Sequence, residues 1–432
     1  MTTKAIDQFE QGSMSQVQII AVIICIALNA LDGFDVLAIS FAAPGISQEW
    51  QIDRGALGIV LATELIGMAA GSILLGGWAD KYGRKPIIQM CLILMALGML
   101  MAAYTQSVNS LLVCRFITGI GIGGMLAATN AMVSEFSNIK NRHLCVIIMA
   151  TGYPLGAIVG GTIASELLEY YSWRSVFIFG GLVTLSFIFI VAFFLPESIH
   201  FLLRKQPKNA LVKINDTLLS MNKATLNLLP DVKDSKIKVS YSALFSPNFK
   251  MITILLMVAY FAQVMTFYYI LKWIPKIVVD MGFHPSQAGQ VLVWANVGGA
   301  MGALLLGTLS RKINLKPLLI SMLVVAFIMV YVFGQGYSNL AQLAMISAVT
   351  GFFTNSGIVG LFALMAQYFP PEIRASGTGV VIGVGRGGAA LSPIIAGYLF
   401  SSGISLQTVS LLMGAGALLA ASAIFLLKPA TK

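Results

Sequence analysis

The chain has 432 residues, 57% of them hydrophobic and only 10% charged, with a mean hydropathy of +0.86. A soluble domain carries about 25% charged residues, so this composition excludes a soluble enzyme or binding module and puts most of the chain in lipid. The formal charge of +10 would suit nucleic acid, but the positions of the basic residues, taken up below, argue against that.

Crossing the hydrocarbon takes about 20 mainly apolar residues in one helix. Twelve runs of that kind occur, near residues 17–41, 56–78, 86–106, 110–133, 144–166, 174–195, 249–271, 287–309, 316–335, 340–363, 376–400 and 405–427. They predict an all-α membrane protein of twelve transmembrane helices. Glycines such as Gly119, Gly121, Gly123 and Gly124 let helix backbones approach closely, which is how membrane helices pack without a hydrophobic drive.

With both termini on the cytoplasmic side, all but six of the 27 Lys and Arg fall in cytoplasmic tails and loops; the six are Arg54, Arg115, Arg174, Lys272, Lys276 and Arg386. The positive-inside rule accounts for such a distribution, and no nucleic-acid partner is expected. The four cysteines, Cys25, Cys91, Cys114 and Cys145, lie in or beside apolar runs without metal-ligand spacing, so no metal or cofactor is expected. The first apolar run is too long for a cleaved leader and lacks a small-residue cleavage site, so it is expected to stay inserted.

One long polar stretch follows the sixth run. It divides the chain into a six-helix bundle over 1–203, a cytoplasmic loop over 204–248 and a second six-helix bundle over 249–432. An internal repeat supports the division: Gly76-Gly77-Trp78-Ala79-Asp80-Lys81-Tyr82-Gly83-Arg84-Lys85-Pro86 ends the second run, and Gly307-Thr308-Leu309-Ser310-Arg311-Lys312-Ile313-Asn314-Leu315-Lys316-Pro317 ends the eighth, at a constant offset of 231 residues with Gly, Lys and Pro kept. Parallel repeats with a binding site between them are a recurring transporter plan.

The first of these segments resembles the cytoplasmic loop signature of the major facilitator superfamily. Arg115 with Gly119, the Glu135 and Arg142 pair, and Pro196-Glu197-Ser198 add to the resemblance. Within that superfamily, LDGFDVLAISFAAPGI, GYPLGAIVGG and GTGVVIGVGRGGAALSP in the first, fifth and eleventh runs resemble the aromatic acid:proton symporter family. His200 stands where such relatives often have Arg. Arg311 stands where an acidic residue is expected in the second loop signature, which implies a weaker latch in that half.

An ionisable side chain at mid-membrane costs about 2.5–3.5 kcal/mol or more and is a functional-site hypothesis by default. Asp32 and Asp35 share one helical face, roughly 22 Å from the cytoplasmic end at the α-helical rise. Close carboxylates in poorly hydrated surroundings can hold a proton and release it when water arrives, so the pair is a candidate for proton coupling; bracing the first helix is the alternative. Glu64, at similar depth in the second run, is a third proton carrier or a partner for a neighbouring helix. Arg115 either pairs with an aspartate of the first run or reaches the interface.

Arg386 is read as the one deep basic residue of the second half. Its planar fork can grip a carboxylate bidentately, Gly385, Gly387 and Gly388 are expected to leave space beside it, and it is the candidate substrate anchor. A permanent pair with Asp32 or Asp35 is the competing reading. For a ring-bearing substrate the lumen should offer flat apolar surfaces and a few polar partners; Gln263, Thr266, Tyr269, Trp294, Asn296, Tyr153 and Asn355 are the candidates. The 231 offset matches Gln263 to Asp32 and Thr266 to Asp35, which assigns protons to the first half and recognition to the second.

The loop signature predicts a cytoplasmic gate. Asp80 is expected to meet the positive N-terminal end of the eleventh helix, while Arg84 and Lys85 reach Glu135, with Arg142 close by. Together these readings predict a monomeric, multi-pass inner-membrane carrier that takes up a small aromatic carboxylate with protons. A ring-opened dicarboxylate such as muconate, and efflux by proton antiport, are the alternatives. The fifth run has Gly152-Tyr153-Pro154 and lacks the Gly-Pro dipeptide of the usual antiporter signature. No nucleophile, base and orienting group can be assembled from three histidines, and no appended signalling domain is visible, so neither an enzyme nor a sensor is expected.

Overall fold

The computed structural model describes residues 9–229 and 244–428. Lys4, Lys432 and the middle of the polar stretch between the halves lie outside the described residues. The described residues form fourteen helices without a β-strand: α1 (Gln16–Trp50), α2 (Arg54–Tyr82), α3 (Arg84–Ala103), α4 (Val108–Phe136), α5 (Arg142–Tyr170), α6 (Arg174–Phe194), the short α7 (Ile199–Lys205) and α8 (Ala210–Ser220), then α9 (Lys250–Asp280), α10 (Pro285–Leu309), α11 (Leu315–Phe333), α12 (Leu340–Tyr368), α13 (Pro371–Ser401) and α14 (Leu406–Leu426). All but α7 and α8 are long and apolar enough to cross a membrane, twelve in total among the described residues. The twelve predicted spans are therefore present, several of them longer than their apolar runs.

Helix α9 continues nine residues past the run that ends at Leu271, to Asp280, as α1 continues nine past residue 41, to Trp50. Lys272 interrupts the hydrophobic run, yet Trp273-Ile274-Pro275 and Ile277-Val278 continue the buried face beyond it. Helix starts are set by capping chemistry. Ser107, Asn339 and Ser405 accept from the first free amides of α4, α12 and α14, groups that have no intrahelical acceptor. His284 forms a capping box with Gln287 before Pro285 starts α10.

By packing, the chain separates into two compact units, one of residues 1–36, 67–156 and 177–236, the other of 37–66, 157–176 and 237–432. In the first unit α2 lies directly on α4: a Cβ on Gly67 would come 2.3 Å from the Phe116 carbonyl oxygen, and one on Gly71 would come 2.1 Å from that of Ile120. In the second unit α10 lies on α12 in the same way: a Cβ on Gly298 would come 1.8 Å from the Ala348 carbonyl oxygen, and one on Gly302 would come 2.2 Å from that of Phe352. Gly67 and Gly298, and Gly71 and Gly302, are related by the same 231-residue offset as the loop signature. The repeat therefore extends from a motif to a helix-packing device.

The second unit also contains the first thirteen residues of α2 and the last fourteen of α5. These segments lie at the end of the helices away from the basic loops, called the distal end here. There the α2 backbone at Gly58 meets the Pro393 carbonyl of α13, and Gly397 of α13 meets the Arg54 carbonyl, each 2.5 Å from a hypothetical Cβ. On the α5 side, Ser165 packs on Gly289 of α10, and Ser286 donates to Glu169.

Candidate functional site

Two clusters carry the buried polar chemistry. The first lies in the first unit around the Asp-Gly-Phe-Asp element. Asp32 is 3% exposed, and Asp35 and Arg115 are fully buried. Arg115 does not reach an interface. Its guanidinium donates to the backbone carbonyl of Asp35 (3.1 Å) and to Met99 Sδ (2.9 Å), and it lies over the Phe177 ring at 5.3 Å. Thr184 Oγ1 stands 3.5 Å from Asp35 Oδ2. The second aspartate is thus held among α3, α4 and α6, with an arginine fixed one carbonyl away.

The glycine between the aspartates is required by packing. A Cβ on Gly33 would lie 2.0 Å from the Tyr153 carbonyl, and one on Gly156 would lie 1.7 Å from that of Ala30. Helices α1 and α5 therefore cross backbone to backbone beside the carboxylates. Tyr153 is positioned by its main chain at this crossing.

The second cluster follows α9 and α13 of the second unit. Arg386 is partly buried, on a stretch of α13 that packs against the Tyr260 and Phe261 region of α9. Two of the glycines beside it do not leave space: Gly385 is covered by the Tyr260 ring at 2.2 Å from a hypothetical Cβ, and Gly388 by the Phe261 carbonyl at 2.6 Å. Only Gly387 is open, its nearest neighbour the Phe261 ring at 3.6 Å. The expectation of three space-making glycines is corrected accordingly: two of them bring α13 onto α9.

Gln263, Thr266 and Tyr269 are fully buried and bond within the bundle. Gln263 Nε2 donates to the Thr354 carbonyl (2.8 Å), Thr266 Oγ1 to that of Met413 (2.7 Å), and the Tyr269 hydroxyl pairs with Ser410 Oγ (2.7 Å). These bonds fix α9 to α12 and α14, because a polar group buried without a partner is costly. Asn296 bonds the Leu292 carbonyl of its own helix, and Asn355 that of Gly299. Trp294 is 51% exposed.

At the basic end of the first unit, Arg84 Nη2 pairs with Glu135 (2.8 Å) and Asp80 (3.1 Å). Asp80 also takes Arg204 at 3.3 Å. Glu197 receives the backbone amides of Arg84 (3.0 Å) and Ser198 (2.8 Å); burial pushes its carboxyl above the usual range, opposed by those amides and by Arg84. The expectation that Lys85 reaches Glu135 is corrected. Lys85 Nζ instead donates to the Ala192 carbonyl near the end of α6 (2.8 Å). Its repeat mate Lys316 donates to the Phe425 and Leu427 carbonyls at the end of α14. Both lysines satisfy carbonyls that have no donor within their helix. Arg142 opens α5 beside this cluster.

The sequence set Lys272 apart from the basic loops but did not place it deep in a helix. It is fully buried, with Glu64 at 3.6 Å and equally buried, so Arg386 is not alone among deep basic residues of the second half. The signal was present in the apolar residues that continue α9 beyond Lys272. Removing one member of such a pair costs about 3–5 kcal/mol, because the other charge loses its buried counter-charge.

Twelve membrane-crossing helices in two packing repeats, with ionisable groups buried in each unit, define a multi-pass membrane transporter. The sequence matches the Major Facilitator Superfamily over residues 25–334 and 256–432. It is 30% identical to the 4-hydroxybenzoate transporter PcaK of Acinetobacter baylyi, covering 95% of this chain and 91% of that protein. It is also 30% identical to the 3-(3-hydroxy-phenyl)propionate transporter of Escherichia coli, over 94% and 92% of the two chains. The xylose transporter XylE of E. coli, in an inward open conformation, superposes with a TM-score of 0.72 at 18% identity, over 95% of this chain and 96% of that one. The chain belongs to the major facilitator superfamily, within the family of its aromatic-acid transporters.

Proposed function

We propose that this protein takes up a small aromatic monocarboxylate together with protons across the inner membrane, with both termini and the basic loops in the cytoplasm and the distal end facing outward. The substrate class rests on one observation: the relatives that align over almost the whole chain are named for hydroxylated aromatic acids. In this reading the protein works as a monomer, and the six-helix halves 1–203 and 249–432, joined by 204–248, are the parts that move in turn.

Asp32 and Asp35 carry the protons, and Arg115 holds the second of them in place through its backbone carbonyl. Arg386 receives the substrate carboxylate in the second half, with Tyr260, Tyr268 and Phe261 as its ring-bearing neighbours. Gln263, Thr266 and Tyr269 support the site from behind through their bonds to α12 and α14, while Trp294, Asn296, Asn355 and Tyr153 are secondary candidates for substrate contact. Asp80, Arg84, Glu135 and Arg142 form the cytoplasmic gate. Each partly wet ion pair there is worth only about 0–1 kcal/mol, which suits contacts remade in every cycle.

The test is uptake into proteoliposomes. An inward proton gradient is expected to accumulate labelled 4-hydroxybenzoate, and a protonophore to abolish the accumulation. Accumulation of labelled muconate but not of labelled 4-hydroxybenzoate would move the substrate to a ring-opened dicarboxylate. Proton entry driven by an outward substrate gradient, without uptake under an inward proton gradient, would establish antiport instead.

A further inference from the structure

The distal halves of α2 and α9 carry two ion pairs. Near the surface Arg54 Nη2 meets Asp280 Oδ2 at 2.8 Å, with side chains 42% and 27% exposed; Lys276 also pairs with Asp280. Glu64 lies ten residues further along α2 and Lys272 eight residues back along α9, a displacement of roughly 15 Å and 12 Å at the α-helical rise. There the second pair forms at 3.6 Å, with both side chains fully buried. The two helices run antiparallel through these contacts. Their charges alternate: α2 presents a cation and then an anion, and α9 an anion and then a cation.

Such an order closes in one register only. Sliding α2 by one rung would set Glu64 against Asp280 or Arg54 against Lys272, and like charges in juxtaposition are strongly disfavoured. The inner rung is also conditional on closure. A buried pair holds together because each charge compensates the other, and separating the partners without water takes from each the counter-charge it has in the closed form. Glu64 belongs to the first sequence repeat and Lys272 to the second, so the pair exists only while these two helix ends are packed. The backbone approaches at Gly58 and Gly397 press α2 onto α13 beside the same rungs.

We propose that Glu64 and Lys272 are positioning residues of the transport cycle, the inner rung of a charge lock that holds the outer end shut and sets the balance between outward-closed and outward-open forms. Glu64 is then a gate group and not a third proton carrier. The inference rests on the proposed orientation of the distal end, but not on the substrate or on proton coupling.

The test is the rate at which a membrane-impermeant maleimide labels Ser165→Cys, introduced after replacement of the four native cysteines. Ser165 is 1% exposed in the closed distal end, against Gly289. In right-side-out vesicles Glu64→Gln and Lys272→Met are each expected to speed labelling about tenfold or more, since the remaining charge has lost its 3.6 Å counter-charge and gains from the hydrated open form. The charge-reversed pair Glu64→Lys with Lys272→Glu, and the neutral pair Glu64→Gln with Lys272→Met, are expected to restore slow labelling. Restoration separates a lock from a merely structural role and decides the matter even if a single variant does not reach the membrane. Single variants that label at the parental rate overturn the proposal, as does fast labelling of both double variants. Acceleration seen only in inverted vesicles would keep the lock and overturn the proposed orientation.

Discussion

Asp35 is the most enclosed carboxylate of the first unit, fixed between Thr184 and the arginine that holds its own backbone carbonyl. Replacing Asp32 or Asp35 by Asn removes a titrating group while keeping side-chain volume. Either change is expected to abolish proton-driven accumulation in proteoliposomes, and parental accumulation in both variants would remove the aspartates from the coupling role. Arg386→Lys keeps the charge but loses the planar fork. Its Michaelis constant for uptake is expected to rise about tenfold or more, from loss of one charge-assisted hydrogen bond worth about 1.5–3 kcal/mol, with an unchanged constant counting against the anchor. Asp32, Asp35, Arg115 and Arg386 were legible in the sequence because a charge inside an apolar run is conspicuous. Gln263, Thr266 and Tyr269 were equally visible, but whether a neutral polar group faces a lumen or a neighbouring carbonyl depends on which helices flank it.

Between elements, backbone contact does the work that side chains do in soluble cores. Gly33→Ala would force α5 away from α1 at the Tyr153 carbonyl, and overpacking of this kind costs about 1–3 kcal/mol. A lowered thermal midpoint in detergent is expected. Gly77→Ala, with nothing within 4 Å of its new methyl, is the control and should leave the midpoint unchanged. The basic end makes a second prediction. Burial lowers the pKa of His200, outside the membrane helices, below its ordinary 6.5, with Glu135 and Glu10 pulling the other way. The unfolded chain then takes a proton that the folded protein resists, so this stability is complete above about pH 6.5 and is lost as pH falls through that value. Midpoints measured from pH 8 to 5.5 should fall more steeply for the parent than for His200→Gln. The repeat of loop signatures announced that two helix bundles share a plan. The tasks of Lys85 and Lys316 on the ends of α6 and α14 required the fold, since their acceptor carbonyls are more than a hundred residues away in sequence.

For the whole molecule, energetics follows from charge movement. A monoanion entering with two protons carries one net positive charge inward, worth about 2.3 kcal/mol per 100 mV, or roughly fiftyfold in accumulation. Imposing an inside-negative potential on proteoliposomes at equal pH should therefore raise the steady-state level of the labelled acid; an unchanged level would mean one proton per monoanion, and a fall would mean none. The sequence by itself determined the twelve spans, the repeated loop motif and the charges set inside apolar runs, because lipid penalises every polar residue one helix at a time and leaves that penalty visible in the order of residues. Only the tertiary structure decided that Lys272 is a core residue paired with Glu64, that two of the Arg386 glycines are packing surfaces, and that the polar face of α9 braces its neighbours. Each of these depends on a partner brought close by folding, and a one-dimensional pattern records the cost of burying a charge without recording what compensates it.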